Sequence, residues 1–167
     1  MKINHKVNIF LESKEWLNKN IFSSQKKLNS KIHNLSKMTL RNAFKLSKYK
    51  KVGRVNTNIN VILANDNLLR KLNSKFLKKN KSTNVLSFPN DNFQKDKNNF
   101  LGEIYLAYET CAKESERMKI KEIDRLSHLI VHGTLHLLGF DHKKKKEKLR
   151  MEMVENKVLN FFKINRC

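Results

Sequence analysis

Three histidines, His132, His136 and His142, fall within eleven residues, in the run His128-Leu-Ile-Val-His132-Gly-Thr-Leu-His136-Leu-Leu-Gly139-Phe-Asp141-His142. The apolar residues between them read as a helix, and residues four apart on a helix are neighbours on one face. His132 and His136 therefore point the same way, one turn apart. Gly139 takes a positive φ at low cost, so the chain can turn there and bring His142 toward the same point. Converging imidazoles suit zinc, which binds nitrogen at about 2.0–2.1 Å and prefers tetrahedral geometry. Burying three unpaired imidazoles without an ion would be costly. Three protein ligands leave a fourth position for water, the pattern of a catalytic site. One zinc ion is the expected cofactor.

The neighbours refine this chemistry. His128 continues the i, i+4, i+8 stripe, but it stands a full turn further from His142, and its expected role is packing or support of a ligand. Asp141 adjoins the third ligand and either caps the turn or orients an imidazole. A helical metalloprotease of the H-E-x-x-H type has a glutamate after its first histidine as general base. That position here is Gly133, so the site reads as a hydrolase acting on something other than a peptide.

The elements around the motif follow from pattern. Residues 5–11 read as a strand. Residues 24–48 carry apolar side chains at helical spacing. Residues 58–64 (NINVILA) are β-branched and read as a strand, and Asn65 or Asp66 caps a helix to about Phe76 with Leu68, Leu69 and Leu72 inward. Residues 84–88 form a short strand stopped by Pro89, 90–99 a polar loop, and 100–107 the next strand. Helices follow at 108–118, at 122–138 with Gly139 as its C′ residue, and at 144–162 with Leu149, Met153, Val158 and Phe161 or Phe162 on one side. The fold class is α/β (α+β), a single domain over 1–167: a small mixed sheet of about four strands covered by helices.

Composition points to the partner. The 167 residues carry a formal net charge of +21, which favours a polyanion such as nucleic acid. The basic set is 29 Lys and 7 Arg beside 22 Asn, so part of the charge is compositional background. Lys78, Lys79 and Lys81 in a polar loop, and Lys143 and Lys144 directly after the third ligand, are the candidate phosphate contacts, as point charges rather than bidentate ones. Cys111 and Cys167 make no C-x-x-C pair, which fits the cytoplasm. No signal-length apolar run opens the sequence, and Leu129 to Phe140 is too short to span a bilayer. A soluble protein with no membrane partner is expected.

The run HGTLHLLGFDH at 132–142 closely resembles the signature of the YbeY family of ribosomal-RNA-maturation endoribonucleases. Thr83 to Pro89 (TNVLSFP), Leu101-Gly102-Glu103-Ile104, Leu72-Asn73 and Met151-Glu152 resemble further stretches of that family in the same order, covering about 58–160. The resemblance implies an α/β fold with zinc on His132, His136 and His142. It implies single-strand RNA cleavage in 16S ribosomal RNA 3′-end maturation and ribosome quality control. The implied partners are ribosomal RNA and the small ribosomal subunit, with ribosomal proteins and an assembly GTPase. The chain departs from the pattern in places. Ile62 and Leu77 stand where relatives carry Arg, and Glu103 replaces the usual Asp.

Metal-assisted phosphodiester cleavage is the leading expectation, with Asp141 and Glu103 as candidate acid or base groups. Two alternatives are a metal-stabilised RNA- or ribosome-binding assembly factor with little cleavage, supported by the charge and the missing arginines, and a metallopeptidase, which Gly133 disfavours.

Overall fold

The computed structural model describes residues 4–17, 24–50 and 55–164. Four strands, β1 (His5–Leu11), β2 (Thr57–Ala64), β3 (Val85–Pro89) and β4 (Phe100–Ala107), form one sheet in the order β1-β2-β4-β3. β1 and β4 run parallel to β2, and β3 runs antiparallel to β4, so the sheet is mixed as expected and its 84–107 strands are hairpin neighbours. Five helices surround it: α1 (Gln25–Ala43), α2 (Asp66–Leu77), α3 (Tyr108–Met118), α4 (Glu122–Leu137) and α5 (Lys145–Phe161). Cys111 is buried on α3, and Cys167 lies outside the described residues.

Local chemistry sets the helix ends. The Ser24 side chain accepts from the Lys27 N–H at the start of α1, and Asn65 accepts from Leu68 N–H at 2.9 Å to start α2. α1 stops at Ala43, short of the expected 48, and a 3-10 turn continues over Phe44–Leu46. The chain bends there because Phe44 and Tyr49 turn inward onto Phe93, with ring centroids 6.4 and 4.8 Å away. Phe93 thus anchors the 90–99 loop, which polarity alone marked as free of structure; it carries a 3-10 turn at Phe93–Lys95.

α4 is the central element. It is buried on nearly every side, packing on the sheet, α1, α3 and α5. Gly133 allows this close packing: a Cβ there would lie 2.8 Å from Ile104 Cγ2 and 3.2 Å from Ser87 Oγ. Ser87 Oγ–H also donates to the Gly133 carbonyl at 3.2 Å, tying the helix to β3. α5 corrects part of the expected packing face. Leu149, Met153 and Phe161 are exposed, whereas Val158 and Phe162 pack inward as expected, beside buried Met151, Val154, Glu155 and Leu159. The inward stripe includes an acid, and an apolar pattern search passes over it.

Candidate metal centre

The end of α4 places the histidines. Phe140 N–H donates to Leu135 O at 3.1 Å and Gly139 N–H to His136 O at 2.9 Å, a Schellman closure with Gly139 at φ 81. The turn then carries Asp141 and His142 back over the helix end. Ring centroids lie 4.6 Å apart for His132–His136, 5.5 Å for His132–His142 and 5.2 Å for His136–His142. One ligand atom from each of the three lies within 4.8 Å of the others. The structure therefore brings together the three residues that spacing singled out.

Hydrogen bonds fix the tautomers. His136 Nδ1 lies 3.0 Å from the Phe140 carbonyl, which only accepts, so Nδ1 carries the proton. His132 Nδ1 lies 2.7 Å from Glu155 Oε1, and the carboxylate likewise takes the Nδ1–H. Both rings then present bare Nε2 lone pairs, and these two atoms face each other at 3.0 Å. Two lone pairs at that distance repel unless a cation stands beside them. A tetrahedral ion with bonds of about 2.0–2.1 Å holds its nitrogens about 3.3 Å apart, close to this spacing. Burial, reinforced by His132 and His142, lowers the His136 pKa to about 4, so its ring stays neutral and able to ligate at physiological pH. The donor set fits zinc.

Glu155 was not singled out from the sequence. It is buried, with Oε1 on His132 and Oε2 3.6 Å from His128 Nε2. Burial opposes its ionisation, but the bonds from His128 and His132 prevail and hold its pKa at about 2. Behind it, Arg125 Nη1 reaches His128 Nδ1 at 3.3 Å and pairs with Glu114 at 2.8 Å. His128 thus stands one step behind the triad, as expected. The signal for Glu155 was an acid at the fourth position after Met151 on a stripe that also buries Val154 and Val158, visible only once the register of α5 is known.

The remaining candidates separate. Asp141 accepts from its neighbour His142 N–H at 2.7 Å and pairs with Lys143 at 3.4 Å, so it shapes the turn beside the third ligand. Glu103 does not reach the site, which corrects the expectation that it stands near the metal. Side chains alternate across a strand, and Ile104 faces α4, so Glu103 faces the other side. There its carboxylate accepts from Asn60 at 3.0 Å and Tyr105 at 2.8 Å. Lys78, Lys79 and Lys81 are exposed in the loop after α2, and Lys143 and Lys144 are exposed beside His142. A cleft of about 310 Å³ opens beside His132 and His142 of the triad, lined also by Asn84, Arg125, Lys148 and Glu152.

The family model described as Endoribonuclease YbeY matches residues 20–163. The chain belongs to this family. An Endoribonuclease YbeY of Buchnera aphidicola subsp. Schizaphis graminum is 44% identical over 103 residues, 62% of this chain and 65% of that relative. An Endoribonuclease YbeY of Wolbachia sp. subsp. Drosophila simulans is 39% identical over 117 residues, 70% of this chain and 77% of that relative. The solution structure of a Thermotoga maritima protein aligns with a TM-score of 0.56 at 22% identity, covering 94% of this chain and 91% of that one, and shares the fold. YbeY membership makes a nuclease the class of hydrolase to which the triad is matched. No helix among the described residues is long and apolar enough to cross a membrane.

Proposed function

We propose that the protein is a zinc-dependent, single-strand-specific endoribonuclease of the cytoplasm. Its role on this reading is 16S ribosomal RNA 3′-end maturation and ribosome quality control. Its partners are then the small ribosomal subunit, ribosomal proteins and an assembly GTPase. The observation that carries the chemistry is the pair of bare Nε2 atoms of His132 and His136, 3.0 Å apart, with His142 completing the set. Zinc there supplies Lewis acidity toward a phosphodiester oxygen.

The chain's own groups do the rest. Glu155 holds His132 in the ligating tautomer, and the Phe140 carbonyl does the same for His136. Exposed His142 forms the solvent side of the set, where substrate arrives. Lys148 lines the cleft, and exposed Lys143 and Lys144 follow His142 in the chain; their charge is assigned on this reading to draw a phosphate backbone, which makes its binding salt-dependent. Asp141, in the turn beside His142, is the carboxylate assigned on this reading to take or give a proton. Gly133, packed on Ile104, leaves no room for the glutamate a metallopeptidase would need.

The test is cleavage of matched single- and double-stranded RNA by the zinc-loaded protein and by His136→Ala. Cutting of the single strand, abolished in the variant, supports the reading. Tight RNA binding with no cutting by the zinc-loaded protein would replace it with an assembly-factor role.

A further inference from the structure

The sheet has two unlike faces. α1, α4 and α5 share one core with it, whereas α2 covers only part of the other face, over Ile62, Leu86 and Ala107. That face is laid out in register. One row runs Phe10, the α2-covered Ile62 and Tyr105, and the next runs Asn8, Asn60, Glu103, Phe88. Phe10 is 46% exposed. Phe76, at the end of α2, is 54% exposed, and its ring lies 5.1 Å from Phe88, which lies 5.7 Å from Tyr105.

Exposed aromatics in such an arrangement point to a ligand with flat faces. The charge beside them says which. Residues 66–81 carry six basic side chains against one acid, Asp66, and Lys75 Nζ stands 5.3 Å above the Phe76 ring. Aromatic platforms bordered by positive charge bind single-stranded nucleic acid, with bases stacked and phosphates on the basic rim. A four-stranded sheet that presents aromatics on an open face is one general way to do this for RNA, and here α2 leaves part of such a face open. Glu103, at the centre, repels phosphate, so the backbone runs along the Lys rim and the bases face the sheet. Asn8 donates to Asn58 and Asn60, and Asn60 to Glu103, so these amides hold one another in the row.

We propose that this open sheet face binds single-stranded RNA by stacking bases on Phe10, Phe88 and Phe76. The inference rests on the nuclease reading only in choosing RNA as the nucleic acid. β3 joins the two regions, since Val85 lines the metal cleft while Phe88 lies on the open face. A strand bent around that edge reaches both.

The test is direct binding of a labelled single-stranded RNA of about a dozen nucleotides, the scale of such sites. Chelator-treated protein is used, so that cleavage plays no part. Phe10→Ala and Phe76→Ala change exposed side chains, and zinc uptake by the triad reports that each variant folds. Each is expected to weaken binding about 5- to 100-fold with the salt slope unchanged, and Phe76→Trp to retain it. A duplex of the same sequence should bind more weakly. Parental affinity in both Ala variants, or equal binding of the duplex, would overturn the proposal. If zinc-loaded protein cuts no RNA while the Ala variants lose binding, the nuclease reading falls and the platform stands. If it cuts RNA and the Ala variants bind as the parent does, the platform alone falls.

Discussion

Glu155 Oε1 accepts the Nδ1 proton of His132 at 2.7 Å, from a helix 23 residues further along the chain. This one bond links the packing of α5 to the chemistry of α4. It decides which nitrogen of His132 faces the ion and adds electron density to the ring. Such supporting carboxylates are typically worth 10–100-fold in metal affinity. Glu155→Gln is therefore expected to weaken zinc binding by that factor, read by competition with a chelator. Unchanged affinity would show that the tautomer is set elsewhere.

Gly133 is expected to accept even a methyl side chain only at a cost. A Cβ would press on Ile104 Cγ2, a methyl next to the backbone on a side chain stiff at χ1. Overpacking costs about 1–3 kcal/mol, against about 1 kcal/mol gained in helix propensity over glycine. Gly133→Ala should destabilise by about 1 kcal/mol net, visible as a lower urea midpoint. A higher midpoint would mean that α4 shifts freely on the sheet.

Much of this was legible in the sequence, and what was not has a physical pattern. The three histidines depend on short-range geometry, an i, i+4 pair and a glycine turn, so spacing located them. The strands and their mixed pairing followed from β-branched runs and hairpin spacing. Glu155 was missed because its bond to His132 is long-range and depends on the register of α5. The same register error put Leu149 and Met153 inward when they face solvent, whereas Val158 and Phe162 of that expected face do pack on the core. Glu103 was placed near the site because sequence proximity of motifs does not say which face of a strand they share. The early end of α1 reflects Phe44 and Tyr49 packing on Phe93, a tertiary interaction.

Acid should destabilise the fold through His5. It is buried against Thr57 Oγ1 at 2.8 Å, and burial, with Arg41 and Lys37 nearby, lowers its pKa from 6.5 to about 4. Above about pH 6.5 the ring is neutral in both states and its contribution is complete. Between about 6.5 and 4 the unfolded chain takes up a proton that the folded one refuses, so stability falls with pH. Below about 4 the decline levels off. Urea midpoints from pH 7 to 4 should drop less steeply in His5→Gln than in the parent. Parallel profiles would contradict this.

Lys143 to Lys146 follow the third ligand and are all exposed. Replacing the four by Gln should weaken single-stranded RNA binding and flatten its dependence on salt, by about 0.7 in log–log slope for each phosphate no longer neutralised. Zinc affinity should change little. An unchanged salt slope would place the backbone elsewhere.

The central claim is that His132, His136 and His142 hold one ion on which RNA cleavage depends. The most direct measurement is a titration of zinc into metal-free protein, following bound metal and cleavage of single-stranded RNA together. Cleavage should rise with zinc and level off at one equivalent, and His136→Ala should neither retain the ion nor cut. Full cleavage by the metal-free protein, or by His136→Ala, would contradict it.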